Sequence, residues 1–92
     1  MKINDRIRKL LNSCEFTTEE IAEKTGFKYG RWTTIRKKDG QARADEVEAL
    51  CNLFPEYTMW ISTGNVYPEI GQISPELEET STSYGKTGTD TV

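Results

Sequence analysis

The side chains in this 92-residue chain that could serve a catalytic or metal centre are two cysteines, Cys14 and Cys51, and the carboxylates Asp45, Glu46 and Glu48. Their spacing supports neither kind of centre. The cysteines stand far apart without a CxxC spacing, and there is no histidine to complete a zinc site, so they read as buried, reduced thiols. The carboxylates have no histidine, glycine-rich phosphate loop or facing ligand set beside them, so helix capping and solubility account for them. With no nucleophile–base pair either, an enzyme is disfavoured, and no metal, cofactor or small-molecule ligand is expected. What remains is charge. Residues 1–43 hold eleven Lys/Arg against six Asp/Glu, a balance of +5, whereas residues 44–92 hold one lysine against nine acids, a balance of −8. The net charge of −3 alone would disfavour a polyanionic partner. Acids more than about one Debye length away, ~8 Å at physiological salt, are largely screened, however, so the basic half decides.

The basic residues act together only if a scaffold holds them, and a chain this short has room for one small domain. Ile3, Ile7, Leu10 and Leu11 keep a helical period and predict a first helix over residues 4–12. Thr17 or Thr18 is the N-cap candidate for a second, with Glu19 and Glu20 in its first turn and Gly26 as its stop. A third spans residues 29–37, with Trp32 and Ile35 on one face, and Asp39-Gly40 breaks it. Asp45 is read as the N-cap of a fourth helix carrying Val47, Leu50, Cys51 and Phe54, closed by Pro55. A short fifth helix over residues 58–63 presents Met59, Trp60 and Ile61 and ends at Gly64. Both tryptophans fall on apolar faces and read as core. The fold class is all-α: a compact five-helix domain over residues 1–65, then an extended segment, 66–79, packed on the domain or in a dimer contact. Residues 80–92, rich in Ser and Thr, read as a disordered tail. No run is apolar enough for a signal sequence or membrane span, which predicts a cytoplasmic protein without membrane partners.

Residues 18–35 contain two helices, a short turn, and the small core that would hold one helix across the other. Ile21 and Ala22 lie on the first helix, Gly26 in the turn, Phe27 at its exit, and Trp32 and Ile35 on the inner face of the second. Ala22 permits close approach, and Gly26 can take the positive φ of the turn. The segment EEIAEKTGFKYGRWTTI resembles the helix-turn-helix of the lambda-repressor-like family, which includes Cro and XRE-type phage and bacterial regulators. The likeness extends to Leu50, Leu53 and Phe54 and to the closing Trp60-Ile61-Ser62-Thr63-Gly64. The chain departs from the family at Thr25, where an apolar residue is usual, and in the longer, more basic stretch from Arg36 to Gly40.

The resemblance implies a transcriptional regulator, most simply a dimeric phage- or prophage-type repressor reading a palindromic operator in double-stranded DNA. The start of its third helix would then lie in the major groove, with Lys28, Tyr29, Arg31, Thr33 and Thr34 at the base edges. Arg31 leads, because a guanidinium can donate two hydrogen bonds to guanine. Phosphate contacts are expected from Thr18, at the free N–H groups of the second helix, and from Arg36, Lys37, Lys38 and Arg43. Met59, Ile61 and residues 66–73 are the expected homodimer surface. The alternative is an antitoxin-like or adaptor module on the same fold, whose acidic C-terminal half binds a protein.

Overall fold

The computed structural model describes residues 1–77; the reading of residues 80–92 as a disordered tail lies outside them. Five α-helices, α1 (Ile3–Ser13), α2 (Thr18–Thr25), α3 (Tyr29–Arg36), α4 (Ala44–Leu53) and α5 (Thr58–Thr63), account for the domain, and the described residues contain no strand beyond a single bridge between Tyr67 and Gln72. None of these helices is long and apolar enough to cross a membrane.

The apolar positions of α1 determine how it packs. Ile7, Leu10 and Leu11 recur at helical spacing and are fully buried against α3 and α5, while Ile3, read as part of that face, is partly exposed at the helix start. Helix α2 opens on a reciprocal cap. The Thr17 hydroxyl accepts the Glu20 N–H (3.2 Å) and the Glu20 carboxylate accepts the Thr17 N–H (2.9 Å), so Thr17 is the cap and Thr18 the first helical residue. Those bonds from Thr17 hold the Glu20 carboxyl below its ordinary range. Gly26 ends α2 at φ 80°.

Helix α4 begins two residues earlier than an Asp45 cap requires. Arg43 occupies the cap position, and the carboxylate of Glu46, three residues on, accepts its N–H (2.8 Å). Asp45 lies inside the first turn. The central core comprises Ile7, Leu10 and Leu11 from α1, Ile21 from α2, Trp32 and Ile35 from α3, Leu50 from α4 and Trp60 and Ile61 from α5; Phe54 and Tyr57 close one end. Ile61 is completely buried and faces this core, not a second copy.

Beyond α5 the chain turns back over the domain. The Gln72 carboxamide accepts the Met59 N–H (2.9 Å) and donates to the Pro55 carbonyl (3.0 Å), and the Ile73 N–H reaches the Glu56 carbonyl (2.9 Å). Val66 and Ile73 pack against the core, Ile70 stands exposed at the outer bend, and Glu76 pairs with Lys9 of α1.

Candidate nucleic-acid interface

Helices α2 and α3 pack directly on each other and are joined by residues 26–28. The turn is held by specific contacts. Phe27 meets Trp32 edge-on at 6.0 Å, and the Trp32 indole N–H donates to the Thr25 hydroxyl (3.1 Å), which itself donates to the Ile21 carbonyl (2.7 Å). Thr25, polar where the related family is usually apolar, therefore gives a fully buried tryptophan the acceptor it needs.

The first turn of α3 presents its side chains outward. Lys28, Tyr29 and Gly30 are exposed, Tyr29 at 52%; Thr34 is exposed and Thr33 half-buried. The hydroxyls of Thr33 and Thr34 both donate to the Gly30 carbonyl (2.9 and 2.8 Å). With their protons so engaged, these hydroxyls offer lone pairs to an amino group and methyls to an apolar contact.

Arg31 is placed differently from its neighbours. Its Nε donates to Glu46 Oε2 (2.7 Å) and its Nη2 to Glu46 Oε1 (2.8 Å) and to the Gln41 carbonyl (3.2 Å). Glu46 is 1% exposed. The guanidinium holds the Glu46 carboxyl below the usual carboxylate range, and the same pair raises Arg31 above its own ordinary value. Arg36, expected at a phosphate, also turns inward: its Nη2 donates to the Leu11 carbonyl (2.6 Å) near the end of α1.

Lys37, Lys38 and Arg43 are exposed along the α3–α4 connection, and Thr18 is half-buried at the start of α2 beside the exposed Glu19 and Glu20. The connection is held from two sides. Arg8 of α1 donates through Nε to the Lys37 carbonyl (3.0 Å) and through Nη2 to the Lys38 carbonyl (2.7 Å). Gly40 is buried so closely against α3 that a Cβ there would lie 2.2 Å from the Thr34 carbonyl oxygen and 2.7 Å from the Ile35 Cα. By spacing alone Arg8 has only a place on the polar face of α1. The available clue was that the last carbonyls of α3 need donors.

Lys28, Tyr29, Lys37, Lys38 and Arg43 are thus exposed on α3 and the connection around it, and none of the four cations is in an ion pair among the described residues. No protein-family model matches the chain. It is 30% identical over 80 residues to the repressor protein C of Escherichia phage P2, an alignment covering 82% of this chain and 78% of the relative. Among solved structures it matches that of Pf6r from the filamentous phage Pf6 of Pseudomonas aeruginosa PA01, with a TM-score of 0.79 and 33% identity, covering 92% of this chain and 99% of the other.

Proposed function

The chain belongs to the phage repressor family of repressor protein C, and on that premise we propose that it is a sequence-specific double-stranded DNA-binding repressor acting as a dimer. One observation carries the reading: the first turn of α3 projects Lys28 and Tyr29 into solvent from a helix whose opposite face, Trp32 and Ile35, is locked in the core. In this reading α2 and α3 are a helix-turn-helix, and the first turn of α3 enters the major groove. Lys28 and Tyr29 meet base edges. Thr33 and Thr34 accept from adenine or cytosine amino groups or pack on a thymine methyl. Lys37, Lys38 and Arg43 neutralise phosphates, and the free Thr18 N–H adds a smaller contact, opposed by Glu19 and Glu20.

A single module of this size buries little DNA surface, so two copies on a palindromic operator supply the affinity. With Ile61 buried, the dimer surface falls to half-buried Met59 and to Tyr67 and exposed Ile70. Fluorescence titration against the DNA upstream of the protein's own gene, at two salt concentrations, tests the reading. The expected result is tight, sequence-selective binding, with Lys37→Ala lowering the slope of log K against log salt by about 1. Binding no tighter than to scrambled duplex would remove the repressor reading and leave the protein-binding one.

A further inference from the structure

The residue best suited by type to read a guanine is the one the fold withholds. We infer that Arg31 is a positioning residue, clamped to Glu46 so as to set α3 against α4, and that base selectivity is carried by Lys28, Tyr29 and the two threonines. This rests on the DNA-binding reading of α3.

A bidentate guanine contact needs two adjacent N–H groups on one edge of the guanidinium. The Nε/Nη2 edge of Arg31 already faces both oxygens of Glu46, and Nη2 also donates to the Gln41 carbonyl. Among these bonds only Nη1 is uncommitted, and it lacks a parallel partner for a guanine fork. Swinging the side chain out would leave Glu46, 1% exposed, as a buried carboxylate without its cation. That penalty exceeds the gain from one base contact.

Glu46 does more than neutralise Arg31. The oxygen that accepts Arg31 Nη2 also accepts the Arg43 backbone N–H, so one carboxylate ties α3 to the start of α4, and Arg31 Nη2 itself adds the connection through the Gln41 carbonyl. Arg43, a proposed phosphate contact, caps that same helix start. Loss of the clamp therefore shifts α3 and Arg43 relative to each other, which weakens binding to every sequence alike.

The test is a base-preference profile, measured on a panel of single-base operator variants with affinities corrected for the folded fraction. Wild type, Arg31→Lys, Arg31→Met, and Arg31→Met combined with Glu46→Leu are compared. Arg31→Lys keeps the charge opposite Glu46 but loses the fork; the paired apolar replacement removes both charges, and such pairs often fold as well as the original. The clamp predicts that Arg31→Met weakens all operators roughly ten- to a hundredfold with unchanged rank order. Adding Glu46→Leu recovers most of that loss, and Arg31→Lys keeps the wild-type profile. If Arg31→Lys or the double variant loses discrimination at one base position, Arg31 reads that base and the inference is overturned. Full affinity in folded Arg31→Met, for every operator, would reduce the pair to a stabilising contact and also overturn it. A wild-type protein with no base preference fails earlier, at the DNA-binding reading, and takes the inference with it.

Discussion

The two ends of α3 are built on opposite plans. At its C-terminal end backbone and arginine are tied into the fold: Arg8 holds the Lys37 and Lys38 carbonyls, Arg36 reaches back to α1 through Nη2, and Gly40 lies against the last turn with no space for a side chain. At its N-terminal end Arg31 is tied to Glu46, but Lys28 has no side-chain cap contact and Tyr29 is half in solvent. On the proposed DNA-binding reading, a helix that enters a groove gains from this asymmetry, since the anchored end fixes its direction and the open end is free to meet a partner. Arg8, Arg31 and Arg36 supply the anchors, and the exposed charge is mostly lysine, Lys28, Lys37 and Lys38 beside Arg43. That division suits their chemistry, because a planar fork holds two acceptors in fixed geometry and an ammonium on a flexible stem does not.

The comparison is broken most forcefully at Gly40. Gly40→Ala would press a methyl into the Thr34 carbonyl and the Ile35 backbone, none of which can rotate away, so α3 or the following loop must move. The expected cost is about 2 to 3 kcal/mol, read as a fall of roughly 10 to 20 °C in the thermal midpoint. Thr25→Val, in the turn before α3, preserves shape but strands the buried Trp32 indole N–H. It should cost about 1 to 2 kcal/mol in urea unfolding, and Thr25→Ser, which restores an acceptor, should recover most of it.

Acid offers a reversible version of the same experiment on the Glu46 anchor. Because the hydrogen bond from Arg31 lowers the Glu46 carboxyl, its stabilisation is complete above the unfolded value, about 4.3, and is lost as pH falls through the lower folded value. Urea midpoints measured from pH 6 down to pH 2.5 should decline less steeply in Glu46→Gln than in wild type. Glu20 is shifted in the same direction by Thr17, but it is exposed, so Glu20→Gln should flatten the curve less.

These anchors were the part of the molecule that sequence patterning left hidden. The helices, and Trp32, Ile35 and Trp60 as core, were visible because apolar period and capping are local properties that neighbouring residues reveal. The partner of Arg31 lies 15 residues away, that of Arg36 lies 25 away, and those of Arg8 lie 29 and 30 away, so no window of spacing connects them. In isolation each arginine looked like a solvated charge or a DNA contact. Asp45 suits a cap by type for the same local reason, but the helix starts earlier because Glu46, held by Arg31 from another helix, receives the Arg43 N–H. On a short helix Ile61 has the pattern of a surface residue, and it is the packing of α1 on α5 that buries it.

The smallest effects on stability separate the two ends most sharply. Arg8→Lys keeps the charge of α1 but cannot hold both carbonyls, and should cost about 0.5 to 1 kcal/mol while loosening the loop that carries Lys37 and Lys38. Tyr29→Ala should cost less still, within about 0.5 kcal/mol, because roughly half of the residue is already in water. On DNA the order should reverse. Arg8→Lys would lower the salt slope and affinity evenly across operators, whereas Tyr29→Ala would change which bases are preferred and leave the slope near that of wild type. If Tyr29→Ala instead destabilised the protein by more than Arg8→Lys, or left the base profile unaltered, the open end of α3 would be as structural as the anchored one and the asymmetry would have no functional content.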